Sequence, residues 1–422
     1  MPLGSCTKPP NALPPTSPDR RERSAVRASI RNFTSQWFLI PQGTAILATL
    51  LKQLDYRFNG LTIISYLFWV TAIVLLFSMV SFYLLRLTLY PRRVFQALKH
   101  DESELAGLSS VSIAFTSIIQ MASLTLVSGW GGPWSKIVYV LWWIAFSLAL
   151  VISVVLPFIL IKVYPSGVPH ISPATQLPLI AALTAAAGGG TICNTAMLSS
   201  QQQIPVIIVS YLLIGMALPL AFALDVLFWA RLLGNYQPPK KKAFQDMILC
   251  GPWGQSSFAL QMLGRSVVEG SFASYASGTF LTADAAAPVG YSSMLAGLAA
   301  WGLGTFWWFF AIMGIVHALF EGRRPTRMPY TLAGWALVFP WGVYTNAAIQ
   351  LGKLLDSKAF KPLSVATYNM APSEPEIANI LQEMVDGFRE WPLAPIMHFP
   401  DEAGLEFEDI FFPSEDDVPL EG

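Results

Sequence analysis

An all-α polytopic membrane fold, with helical hairpins around a central pore, is what this sequence predicts, and three observations predict it. Nine apolar stretches of spanning length run through the 422 residues. Charged residues make up only 12% of the chain, against roughly 25% in soluble proteins, and mean hydropathy is +0.50. The first, fifth, seventh and ninth stretches are also interrupted near their middles by Gly, Pro or polar residues: QGTAIL (Gln42 to Leu47), AAAGGGTICNT (Ala185 to Thr195), GPWGQSS (Gly251 to Ser257) and FPWGVYTNAA (Phe339 to Ala348). Helix-bending and polar residues are tolerated inside spans where they line a cavity or pack against other helices. Odd-numbered helices inside and even-numbered helices outside is the expected arrangement.

The spans fall at about 36–53, 61–86, 109–128, 137–163, 174–197, 204–232, 246–264, 291–320 and 330–352, each long enough for a bilayer core. Three segments result: an N-terminal tail over 1–34, a transmembrane domain over 35–362 and a C-terminal tail over 363–422. The last is acidic and rich in proline, a composition expected to stay disordered.

Orientation follows from the linkers. Arg20, Arg21, Arg23, Arg27 and Arg31 precede the first span; Arg92, Arg93 and Lys99 follow the second; Lys162 ends the fourth. Arg231 with Lys240, Lys241 and Lys242 follows the sixth, and Arg323, Arg324 and Arg327 follow the eighth. All lie on one side, which the positive-inside rule makes cytoplasmic, so the N-terminus is expected in the cytosol. Trp37, Trp130, Trp134, Trp142, Trp143 and Trp229 are placed near span ends, where indoles favour the headgroup region.

Composition also excludes classes. Zero formal net charge argues against nucleic acid as a partner. Cys6, Cys193 and Cys250 are too scattered for a disulfide framework or a zinc site. The four histidines show no catalytic constellation, and Gly188-Gly189-Gly190-Thr191 lacks the lysine of a phosphate loop. The chain reads as neither an enzyme nor a binder of metal or cofactor.

What remains is a neutral polar ladder on the odd spans. Gln42, Gly43 and Thr44 stand on the first, and Thr116 with Gln120 on the third, which has no glycine or proline to bend it. Gly189, Thr184, Thr191 and Asn194 stand on the fifth; Gly251, Gly254, Gln255, Ser256 and Ser257 on the seventh; Pro340, Thr345 and Asn346 on the ninth. Each residue alone is equally well explained as glue between helices; their recurrence on alternate helices favours a pore. Broken helices would present free N–H groups and positive dipole ends to an anion. Asp225 is the main intramembrane charge, and a structural ion pair with Arg231 is its expected role.

The motifs WGGPW (Trp130 to Trp134), VYVLWW (Val138 to Trp143), GPWGQSSFALQMLG (Gly251 to Gly264) and GWALVFPWGVYTNAAIQLGKLLDS (Gly334 to Ser357) resemble the tellurite-resistance/dicarboxylate transporter family, over about residues 32–362. That family includes fungal sulfite efflux pumps, malate permeases and plant slow anion channels. The resemblance implies ten helices as five hairpins around a quasi-fivefold pore, assembly as a homotrimer, and a ninth-helix phenylalanine that plugs the pore. Phe339 is the position that matches; without the resemblance, ordinary packing beside Pro340 explains it. VYVLWW and GPWGQSSF resemble the sulfite pumps, whereas RFNGL and GKLLDSKAF resemble the malate permeases.

The resemblance thus implies sulfite efflux across the plasma membrane. Its alternatives are C4-dicarboxylate transport with proton coupling, and a non-transporting membrane scaffold. One departure stands out: a tenth apolar helix is missing, which would leave the outer face of the ninth exposed to lipid.

Overall fold

The computed structural model describes residues 27–54, 58–164, 167–234, 240–320, 332–357 and 360. The chain forms two compact units. One comprises Met1–Phe33 with Pro372–Gly422, and its described part is a short helix over 27–32. The other, Thr34–Ala371, holds the spans. Cys6, the first three N-terminal arginines, Arg323, Arg324, Arg327, the acidic tail and the region that a tenth helix would occupy lie outside the described residues.

Within Thr34–Ala371 the described elements are helical. Helix α1 spans Leu39–Gln53, α2 Leu61–Leu89, α3 Pro91–His100, α4 Glu102–Gly107, α5 Ser109–Ala122 and α6 Gly132–Val163. They are followed by α7 over Leu177–Thr195, α8 over Ser200–Leu233, α9 over Cys250–Ser266, α10 over Ala283–Phe320 and α11 over Trp335–Leu354. The nine spans of the sequence reading are α1, α2, α5, α6, α7, α8, α9, α10 and α11.

Five of these close a ring. Helix α1 packs on α5, α5 on α7, α7 on α9, α9 on α11, and α11 returns to α1. Outside it, α2 lies against α1 and α5, α6 against α5 and α7, α8 against α7 and α9, and α10 against α9 and α11. Burial separates the layers. The apolar window of the α7 span is 100% buried and that of the α5 span 67%, whereas α2, α6 and α10 reach 28% and α8 39%. Among the described residues, six helical stretches are long and apolar enough to cross a membrane: the four outer helices and the spans of α5 and α7. Helices α1, α9 and α11 are shorter or more polar, because helices surrounded by other helices need no apolar face toward lipid. Since each outer helix returns the chain, the five inner helices run parallel and their N-terminal ends share one face.

Side-chain donors on outer helices cap carbonyls of inner ones. Ser65 Oγ donates to Ala48 O at 2.8 Å, Trp142 Nε1 to Ala185 O at 2.9 Å, and Ser153 Oγ to Pro178 O at 2.7 Å. Ser293 Oγ donates to Leu260 O at 2.7 Å and Trp301 Nε1 to Tyr344 O at 3.2 Å. In hydrocarbon, where water cannot pair these hydroxyls and indoles, such bonds set the rotation of one helix against its neighbour. Trp142 is therefore a core residue with no exposure, not the headgroup anchor its position near a span end suggested.

Three further expectations are corrected. The odd helices are not broken: α1, α7, α9 and α11 run through their glycines, and α11 through Pro340, as continuous helices. The glycines serve close approach. A Cβ on Gly190 would lie 2.8 Å from Met262 Cβ, and one on Gly254 2.8 Å from the Tyr344 backbone nitrogen. The third span instead loosens into a π-turn over Ser123–Val127 without any glycine or proline, and the segment that follows α9 kinks at Gly270 (φ 115°).

The outer face of α11 is not exposed either. Residues Gly342 to Gly352 are all buried. Trp301 stacks on Tyr344 at 4.9 Å, and Gln350 Nε2 donates to Gln53 Oε1 at 2.6 Å.

At the N-terminal face of the ring, a buried ion pair ties α2 to α4. Arg86 Nη1 lies 2.5 Å from Glu104 Oε1, and Glu104 Oε2 accepts the Ser35 backbone N–H at 2.8 Å. Nearby, Tyr164 donates its phenol to Leu98 O at 2.7 Å. Burial, reinforced by Asp101, Glu102 and Glu104, pushes that phenol up to about 12, so it stays a donor at neutral pH.

Candidate functional site

The axis enclosed by α1, α5, α7, α9 and α11 is the candidate site. Near their N-terminal ends the inner helices bring apolar side chains into one cluster. Ile46, Ile113, Ile180 and Phe339 come from α1, α5, α7 and α11, and Ile248 comes from the 3₁₀ turn leading into α9. None is more than 2% exposed. Phe339 thus sits in a belt to which every inner segment contributes. The four isoleucines were invisible in the sequence, because an isoleucine in an apolar span carries no signal of its own. Only their convergence marks them.

Polar side chains stand on the same five helices, many of them toward the C-terminal ends. Gln255 Nε2 donates to Thr184 Oγ1 at 2.8 Å, joining α9 to α7. Asn194 Nδ2 donates to Gly190 O at 2.6 Å, Met262 O at 2.8 Å and Ser266 Oγ at 2.7 Å, clamping the same two helices further along. Thr44, Thr116, Thr184 and Thr191 turn their hydroxyls back onto the carbonyls of Ile40, Ser112, Ile180 and Ala187. Their protons are thereby committed to the helices themselves.

Other groups in the ring have no hydrogen-bond partner among the described residues. They include Gln120 Nε2, Ser256 Oγ and Thr345 Oγ1, which can donate, and Gln42 Oε1, Asn194 Oδ1 and Asn346 Oδ1, which can accept. Buried polar groups normally find a partner, so these atoms are the ones equipped to meet a polar permeant.

The glycines of the ladder do different work. Gly43 is closed against Trp335 and Val338 of α11, Gly251 against Ile180 of the belt, and Gly254 against the α11 backbone. Gly189 is turned outward, toward Trp142 of α6 and Val206 of α8. Pro340 is buried beside Gly251. No basic side chain takes part in the belt or in these polar pairs.

Asp225 of α8 is satisfied in an unexpected way. Its carboxylate accepts Trp253 Nε1 at 2.6 Å, Trp307 Nε1 at 3.0 Å and Gln176 Nε2 at 2.5 Å. Arg231, the partner expected from sequence, donates to Ile171 O. Two indoles and an amide are neutral donors, so the carboxylate joins α8, α9, α10 and the turn before α7 without a counter-charge.

Comparison with known proteins agrees with this architecture. The sulfite efflux pump SSU1 of Arthroderma otae is 28% identical over 340 residues, covering 79% of this chain and 86% of the pump. The protein of the same name from Trichophyton rubrum is 29% identical, with 79% and 85% covered. The malic acid transport protein of Schizosaccharomyces pombe is 23% identical, with 79% and 73% covered. The pattern of the SLAC1 voltage-dependent anion channels matches residues 32–371. With most of its length so matched, and its outer helices suited to lipid, this multi-pass membrane protein belongs to the voltage-dependent anion channel family.

Proposed function

We propose that the chain exports sulfite across the plasma membrane, along the axis of the five inner helices, with Phe339 as the gate. The observation that carries this reading is the apolar belt around Phe339 followed by an uncharged polar lining. An apolar constriction blocks hydrated ions, and neutral donors beyond it ease dehydration without trapping the ion. Gln120, Ser256 and Thr345 are the donors that would meet the anion. The parallel inner helices also turn five positive dipole ends toward the mouth on the Phe339 side. The basic linkers make that mouth cytoplasmic, which suits an exporter collecting anions from the cytosol. Assembly as a homotrimer is part of the same proposal.

The similarity to the Arthroderma otae and Trichophyton rubrum sulfite efflux pumps at 28–29% identity, against 23% for the malic acid transporter, favours sulfite. A C4-dicarboxylate is the second reading, and it predicts a different competitor. The deciding experiment expresses the chain in cells lacking endogenous sulfite export and measures growth on sulfite. Labelled-sulfite efflux is then followed with sulfite or malate as competitor. Restored growth with competition by sulfite alone is the expected outcome. Efflux of labelled malate without efflux of labelled sulfite would transfer the assignment to dicarboxylates, and no flux of either from correctly localised protein would leave the scaffold reading.

A further inference from the structure

Helix α3 has no part in the ring, yet its two faces differ sharply. The α2 span ends at Leu89, Tyr90 leaves helical geometry (φ −133°, ψ 52°), and Pro91 starts a new helix of 10 residues. That is too short to cross a bilayer. Val94 is fully buried, and Leu98 packs against Leu105, Leu156 and Leu160 of α4 and α6. The Tyr164 phenol holds the Leu98 carbonyl. The opposite face exposes Arg92, Arg93, Phe95, Lys99 and His100, with Phe95 58% exposed.

The surroundings fix the depth of this face. The adjoining ends of α2 and α6 present Leu85, Leu89, Phe158 and Ile161 outward, Ile161 at 76% exposure. Lys162 Nζ lies 5.9 Å from the centre of the Phe158 ring. The basic face therefore begins where the lipid-facing apolar surface stops, at headgroup level. The acidic residues that follow are engaged elsewhere. Asp101 accepts the N–H groups of Ser103 and Glu104, Glu102 accepts the Ser172 hydroxyl at 2.7 Å, and Glu104 holds Arg86.

We infer that α3 is an interfacial helix that docks on anionic phospholipid headgroups, with Phe95 at the acyl boundary and Arg92, Arg93 and Lys99 on the headgroup charges. A basic helix bearing an exposed aromatic, held in the plane of the interface, has the chemistry for that partner. Anionic lipid is concentrated in the cytoplasmic leaflet. In the cell the inference thus rests on the orientation proposed above, but lipid binding itself is read without transport, so the two fail separately. Through Asp101 and the Arg86–Glu104 pair, α3 adjoins the start of inner helix α5, so bound lipid bears on the ring.

The test uses the full-length protein in mixed micelles of phosphatidylcholine with rising phosphatidylserine, and counts retained lipid by native mass spectrometry. Phosphatidylserine is expected to be retained in preference to phosphatidylcholine. Each of Arg92→Gln, Arg93→Gln and Lys99→Gln should lower that preference about fivefold, the usual weight of one basic residue at an anionic surface. Lys136→Gln with Arg265→Gln, at the opposite end of the spans, should leave it unchanged. No preference in the parent protein, or equal loss in both sets of variants, overturns the inference. All five positions are outside the core, and an unchanged circular dichroism spectrum separates lost binding from lost fold.

Discussion

Trp253 Nε1 lies 2.6 Å from Asp225 Oδ2, so inner helix α9 is anchored on a carboxylate carried by outer helix α8. Trp307 of α10 and Gln176 before α7 share the same carboxylate. A buried anion held by three neutral donors has its desolvation offset by hydrogen bonds alone.

Asp225→Leu removes the acceptor for all three neutral donors and is expected to cost about 1–3 kcal/mol for each donor left unsatisfied. Asp225→Asn keeps one acceptor oxygen and should cost less, about 1–3 kcal/mol. Thermal unfolding of the purified protein in detergent ranks the two. Equal loss in both would show that the charge, and not the acceptor geometry, holds the helices.

Phe339→Ala opens the belt formed with Ile46, Ile113, Ile180 and Ile248. Anion flux into reconstituted vesicles should rise, while the missing ring lowers stability by about 3–5 kcal/mol. Phe339→Leu, which refills part of the space, should fall between the two. Flux normalised to folded protein is the measurement, and unchanged flux in both variants would remove Phe339 as gate.

Gly254→Ala and Gly302→Ala offer a contrast between two helical glycines. At Gly254 the added carbon meets the α11 backbone at 2.8 Å, whereas at Gly302 nothing lies within 4 Å. The first should destabilise by about 1–3 kcal/mol through overpacking. The second should be neutral or stabilise by about 0.5–1 kcal/mol through backbone entropy. Melting curves of the two variants decide.

Arg86→Met strands Glu104 in a buried site and should cost about 3–5 kcal/mol. The double variant Arg86→Met with Glu104→Leu should recover part of that loss, because neither charge remains buried alone. Failure of the double variant to recover would mean that the Glu104 bond to the Ser35 N–H dominates.

The spans and their order were legible in the sequence because hydropathy reports the environment of a whole segment. So was the division into layers. Polar residues such as Gln42, Gln120, Asn194, Gln255 and Asn346 are tolerable only away from lipid, and all stand on helices of the ring. The chemistry of the ladder was less legible. Thr44, Thr116 and Thr191 have the same composition as pore ligands, yet their hydroxyls close onto their own helices. The π-turn at Ser123–Val127 left no trace, since no breaker residue marks it.

Composition along the chain was enough to show that it crosses the membrane repeatedly and that alternate helices face inward. Each of these depends on segment composition, which local chemistry expresses directly. Which side chains meet became visible in the packed helices alone: four isoleucines with Phe339, and Asp225 with two indoles instead of Arg231. The glycines proved to be contact points in continuous helices, not breaks. Such choices depend on the rotation and register between helices, which are set jointly by all the packed surfaces and are encoded at no single position.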